Sequence, residues 1–178
     1  GGAARIAPLV YFCRHELSSL VEAVRLQTAL THTDPDAVAA AEFFGRVARQ
    51  VLDGVRPVAA VTEVTMHRFR GTALEQWVEA GMSSRNSDTV EAINRLGPAC
   101  ATPGAFAGVV HLVTRYENDL REALVQNVMA GGDSAARGLI TGMVLGAHLG
   151  LTAVPDDWLA ALRQGGRIGE LLEATPPV

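Results

Sequence analysis

Lysine is absent from this chain of 178 residues, and its 15 basic side chains are scattered arginines with no run. Nothing in that distribution builds the basic stripe of a nucleic-acid-binding surface, so no nucleic-acid partner is expected. Aromatic residues are scarce, at 5%. The two cysteines, Cys13 and Cys100, lack metal-ligand spacing and read as free buried thiols rather than a disulfide. No apolar run reaches the ~20 residues that span a bilayer, and no signal peptide is visible. These absences point to a soluble intracellular protein with no membrane partner.

What is present is an ordinary globular composition, 48% hydrophobic and 19% charged with a net charge of -4. A chain of this length buries a sizeable core as one domain or as part of a larger one. It opens Gly1-Gly2-Ala3-Ala4 without Met, which reads as processing or as half of a longer fold.

Between regular Gly and Pro punctuation the apolar period is helical. Leu17, Leu20, Val21 and Val24 recur at spacings of three and four. Thr33-Asp34-Pro35-Asp36 combines an oxygen-bearing cap, a first-turn proline and an acid at the positive dipole end. The helix it opens carries Val38, Ala41, Phe44, Ala48 and Val51, and Gly54 stops it. Val58 to Phe69 has strand-like composition but also a helical face, and is assigned as helix. Leu74 to Ala80 reads as helix, and Asp88 caps another that runs to Leu96. Phe106, Val109, Val110 and Val113 mark a further helix, and Asp119-Leu-Arg-Glu122 is a capping-box pattern ahead of Leu120, Leu124 and Val128. Gly131-Gly132 breaks the chain before a last major helix from Asp133, and Pro155-Asp156-Asp157 starts a short one through Leu162. The predicted fold class is all-α.

Gly138, Gly142, Gly146 and Gly150 lie four residues apart, on one side of that last major helix. Each interior glycine costs about 1 kcal/mol against alanine, so the ridge predicts close approach of another helix backbone and a central place in the bundle.

Four segments in order then carry a resemblance. Gly131-Gly132-Asp133, the helix with Gly142 and Gly146-Ala147, Gly150 and Pro155-x-x-Trp158 form one. Gly2-Ala3-Ala4-Arg5-Ile6-Ala7-Pro8-Leu9 is a small-residue loop before an Arg-x-x-Pro helix start. Leu30-Thr31-His32 precedes an Asp-Pro, and Cys100 through Val110 contains Pro103-Gly104-Ala105-Phe106. Together they resemble the ADP-ribosylglycohydrolases, over their C-terminal portion, and residues 1–178 read as a single partial domain of that all-α helical bundle.

The resemblance implies hydrolysis of the bond between ADP-ribose and a protein side chain or similar acceptor, at a site with two magnesium ions. ADP-ribose or an ADP-ribosylated protein is then the implied partner, together with an N-terminal portion of the same fold that supplies a Thr-Asp-Asp element. The family pattern Gly-Gly-Asp-x-Asp-Thr reads Gly131-Gly132-Asp133-Ser134-Ala135-Ala136 here. Asp133 matches the first metal ligand, and Ala135 and Ala136 stand where the second Asp and the Thr belong. Magnesium wants octahedral oxygen, which alanines cannot offer, so an impaired or inactive hydrolase is expected. Arg137, four residues after Asp133, is placed either to replace the missing cation by pairing with it or to form an ordinary surface pair.

Gly1, Gly2 and Ala3 match the loop beside the ADP-ribose diphosphate, where small residues let backbone N–H groups approach phosphate. His32 matches a position near the ribose. His15, His67, His111 and His148 show no zinc spacing and read as structural, as do Trp77 and Trp158. The alternative to an enzyme is a non-catalytic protein in the same fold, either binding ADP-ribose or serving in assembly as the family's crystallin relatives do.

Overall fold

The structure is a computed structural model and describes residues 1–175. Among them no strand occurs, as the periodicity predicts. After a 3-10 turn at Ala3–Arg5 come α1 (Ala7–Phe12), α2 (Leu17–Ala29), α3 (Pro35–Leu52), α4 (Pro57–Val64), α5 (Ala73–Ser83) and α6 (Thr89–Leu96). The chain continues through α7 (Thr102–Arg115), α8 (Leu120–Met129), α9 (Ser134–Leu149), α10 (Asp156–Ala161) and α11 (Gly165–Ala174).

Local chemistry explains most of the helix starts. Pro8, Pro35, Pro57 and Pro103 occupy first-turn positions of α1, α3, α4 and α7, where no helical N–H partner is lost. Glu16, Asp34, Asp88, Asp119 and Asp133 each accept a backbone N–H from the first turn of the helix they precede. The capping box at Asp119 is only half formed. Its carboxylate takes the Glu122 N–H at 2.9 Å, but the Glu122 side chain turns along α8 to Gln126 Nε2.

The core is built around α7, in which every residue from Phe106 through Thr114 is buried. Phe43, Phe44, Phe69, Trp77 and Phe106 meet in one aromatic cluster with centroid separations of 4.8 to 5.7 Å. The ambiguous stretch from Val58 is helical, with a difference: after α4 the chain widens into a π turn over Thr65–Phe69. That turn delivers Phe69 to the core while Arg68 lies alongside Glu42.

Glu42 is the buried acid of α3, only 2% exposed. Arg25 Nη1 reaches it at 2.6 Å, Arg46 Nε at 2.9 Å and Arg68 Nε at 3.4 Å, so one carboxylate ties α2, α3 and the π turn together. Burial pushes this carboxyl up, but the hydrogen bonds and charges of Arg25 and Arg46 outweigh it, leaving it below its ordinary value.

The glycine ridge behaves differently from the expectation. α9 packs against α3, α7 and α8, and a Cβ at Gly138 would lie 3.0 Å from Asn127 Nδ2 of α8, yet one at Gly142 or Gly146 would meet no atom within 4 Å. Close helix approach occurs instead at Gly81, where a Cβ would lie 2.6 Å from the Ala107 carbonyl oxygen of α7. Spacing alone fixes which side of a helix the glycines share, and not whether another helix covers that side. The α11 segment also went unread, because Gly165, Gly166 and Gly169 interrupt its apolar period. Cys13 and Cys100 are free, but neither is buried as expected, Cys13 being half-buried and Cys100 exposed. Among the described residues no helix is long and apolar enough to cross a membrane.

Candidate functional site

The N-terminal glycines, the chain before α3 and the start of α9 converge on a cavity of about 240 Å³. Ala37, Ala40 and Phe44 form one wall, because spacings of three and four put them on a single side of α3. Phe106 and Val109 of α7 and Ile140 of α9 complete the apolar floor. Polar groups enter from the rim. Gly1, Gly2, Ala3, His32 and Asp133, separated by up to 132 positions in sequence, all line this space.

Asp133 is set by its backbone. Gly131 and Gly132 both take left-handed conformations, with φ of 67° and 65°. Gly132 has no room for a side chain, since a Cβ would come within 2.7 Å of the Pro98 carbonyl carbon. The Asp133 N–H then donates to the Pro98 carbonyl at 2.9 Å, pinning the turn to the loop before α7. Its carboxylate accepts the Ala136 N–H at 3.2 Å and caps α9.

Arg137 departs from both sequence expectations. It forms no ion pair with Asp133 and is fully buried. Its guanidinium turns inward and donates to the Pro98 carbonyl at 2.8 Å, to Asn127 Oδ1 at 3.1 Å and to the Asn127 carbonyl at 3.4 Å, and it also donates to the Gly131 carbonyl. The reason is geometric: three carbonyls and an amide oxygen converge there, while Asp133 is occupied by the helix N-terminus. Burial pushes the guanidinium below its ordinary value, and the nearby Asp133 charge opposes that shift. The pairing rule at four-residue spacing misses this because it assumes a solvated helix face.

His32 sits where the chain turns from α2 into α3. A Cβ on Gly1 would stand 3.0 Å from its Nε2, so the ring lies directly against the N-terminal backbone. Cys100 and Thr102 also line the cavity, contributed by the loop and first turn of α7. Sequence spacing gives no separate signal for them, as they enter only by being next to the Pro98 anchor.

Among the described residues no three His, Cys, Asp or Glu side chains come together as a metal-binding group. The α9 residues that line the cavity beside Asp133 are Ala136, Arg137 and Ile140, whose side chains carry no oxygen, and Arg137 brings a cation. The cavity as built can enclose a small, partly apolar ligand and meet its polar atoms with backbone N–H groups, an imidazole and a carboxylate.

The ADP-ribosylglycohydrolase family profile matches residues 1–176. Crystallin J1A of Tripedalia cystophora is 27% identical over 173 residues, 96% of this chain and 52% of that protein. Crystallin J1B of the same organism is 26% identical over 169 residues, with 94% and 51% covered. The ADP-ribosyl-[dinitrogen reductase] glycohydrolase of Rhodospirillum rubrum is 25% identical over 164 residues, with 91% and 50% covered. The chain therefore spans about half the length of the relatives it matches. With its all-helical architecture and a match over nearly the whole of its length, the chain belongs to the ADP-ribosylglycohydrolase family.

Proposed function

We propose that this chain forms the ADP-ribose-binding portion of an ADP-ribosylglycohydrolase-type protein, and that hydrolysis by the chain alone is impaired or absent. Residues 1–178 act as one partial domain in this reading. The observation that carries it is convergence: Gly1, Gly2, Ala3, His32 and Asp133 line the same cavity. The diphosphate lies along the glycine backbone, where small residues admit close approach, and His32 meets a ribose oxygen.

Impaired chemistry follows from the oxygen supply. Ala135 and Ala136 occupy the positions at which the resemblance puts the second metal-ligating Asp and the Thr. Asp133 is left as one carboxylate that already accepts a helix N–H and has Arg137 as a neighbour. Magnesium held by one such group, without companion carboxylates, is bound weakly at best.

Calorimetric titration with ADP-ribose tests the binding, with saturation expected and a loss of about tenfold, roughly 1.4 kcal/mol, in His32→Ala. Absence of saturation sinks the binding reading and leaves a role in assembly. Release of ADP-ribose from a modified acceptor is the test of chemistry. Magnesium-dependent turnover that disappears in Asp133→Ala would overturn the impaired reading.

A further inference from the structure

Behind His32 stands a short relay of side chains. Arg5, at the end of the first 3-10 turn, donates from Nη2 to Thr31 Oγ1. Thr31 Oγ1 in turn lies 2.8 Å from His32 Nδ1. With its amide oxygen turned toward Arg5, Gln27 accepts from Nη2 and Nε at 3.2 and 3.3 Å and steadies the guanidinium.

The direction of these bonds follows from what each group can do. A guanidinium only donates, so the Thr31 oxygen receives a hydrogen from Arg5. Thr31 is exposed, so its hydroxyl hydrogen goes to water or to a protein acceptor, and donation to the ring calls for an Nδ1 without a hydrogen. Among the described residues, His32 Nδ1 is the one atom hydrogen-bonded to this hydroxyl besides Arg5 Nη2. That demand is met when Nδ1 is bare and Nε2 carries the ring hydrogen. Donation from a cation also polarises the hydroxyl and makes it a better donor to Nδ1. The opposite tautomer would make the oxygen accept twice and leave its own hydrogen with no protein partner.

Nε2 and Cε1 are the ring atoms nearest the place a Gly1 Cβ would take, at 3.0 and 3.1 Å, and both residues line the cavity. We propose that Arg5 and Thr31 are positioning residues that hold His32 in the Nε2–H tautomer, so that the cavity offers an N–H donor to an acceptor oxygen of its ligand. That oxygen belongs to a hydroxyl or phosphate group. The ligand step rests on the proposed ADP-ribose reading, whereas the tautomer is a property of the free protein.

Nitrogen-15 NMR of histidine-labelled protein reads the tautomer directly, above the ordinary histidine titration range and with the His32 signals assigned by their loss in His32→Gln. The expected spectrum shows Nδ1 bare and hydrogen-bonded, with Nε2 protonated almost completely. Thr31→Val should move it toward the exchange-averaged pattern of free imidazole, and Thr31→Ser should restore it. Arg5→Met should shift it in the same direction as Thr31→Val. A protonated Nδ1 in the unaltered protein, or a spectrum that Thr31→Val leaves unchanged, overturns the relay. ADP-ribose titration of the same proteins keeps the two ideas apart. Weaker binding in Thr31→Val, recovered in Thr31→Ser, supports both. No binding by any of them, with the tautomer as expected, removes the ligand assignment and leaves the relay standing.

Discussion

His111 Nδ1 lies 2.8 Å from the Ser84 hydroxyl, with the imidazole fully buried among α5, α6 and α7. Ser84 gives its own hydrogen to the Gly81 carbonyl, so it accepts from Nδ1–H. On the other side Thr89 Oγ1 is 3.1 Å from Nε2 and 2.7 Å from the Tyr116 hydroxyl, which accepts from Arg115 Nε. Every hydrogen in the chain from Arg115 to Gly81 points one way when the imidazole is neutral.

A pH dependence follows. Burial first, and the Arg115 charge second, bring the His111 imidazole down from 6.5 to about 4. The unfolded chain therefore takes up this proton at a higher pH than the folded protein. Stability from this residue is complete above 6.5 and is lost as the pH falls toward about 4, by something on the order of 3 kcal/mol. Urea midpoints across that range should fall more steeply for the native sequence than for His111→Gln. Parallel curves for the two proteins would mean that His111 titrates normally.

Two glycines should respond to alanine with opposite sign. Gly132→Ala puts a side chain at a φ of 65° and against the Pro98 backbone, which should cost about 1–3 kcal/mol. Gly142→Ala meets no atom within 4 Å and should stabilise α9 by up to about 1 kcal/mol. Thermal melts of the pair decide the matter, and destabilisation by Gly142→Ala would restore the buried-ridge reading.

Replacing Arg137 by methionine keeps the aliphatic packing and strands the Asn127 amide oxygen and the carbonyls of Asn127 and Gly131, while the Pro98 carbonyl keeps the Asp133 N–H. The expected loss is about 3 kcal/mol, from buried acceptors left without donors. Arg137→Lys should recover little of it, because one ammonium cannot reproduce the spread of a planar fork. Denaturant unfolding of both variants measures this; full recovery by lysine would show that charge matters there and geometry does not.

The Glu42 carboxylate is held below its ordinary value of 4.5 by Arg25 and Arg46 against the opposing effect of burial. Its contribution is therefore present above 4.5 and lost as the pH falls through the lower folded value. Glu42→Gln should cost about 2 kcal/mol at neutral pH, since two of the three arginines are more than half exposed and recover hydration. Chemical denaturation at neutral pH and under acid conditions checks both parts, with the difference from the native sequence expected to shrink in acid.

Much of the fold is legible in the sequence because its signals are local. Asp34-Pro35, Asp88 and Asp119 begin helices by chemistry confined to one turn. Motif resemblance singles out Gly1, Gly2, Ala3, His32 and Asp133 of the cavity lining, and their meeting is a tertiary fact that no spacing contains. Helical spacing misplaces Arg137 and Gly142 for related reasons. A helix position specifies direction around an axis, whereas what waits in that direction, three carbonyls or open solvent, depends on chain far away in sequence. The π turn at Thr65–Phe69 was unreadable because it satisfies two distant partners, Phe43 and Glu42, at once.

α3 joins these observations mechanically. One side of this 18-residue helix is a wall of the cavity, through Ala37, Ala40 and Phe44, while the other is bolted at Glu42 to α2 and the π turn. A beam fixed along its back cannot yield at its front. Adjustment of the cavity to a ligand then falls to the lining outside α3, which includes the short backbone stretches Gly1–Ala3 and Cys100–Thr102.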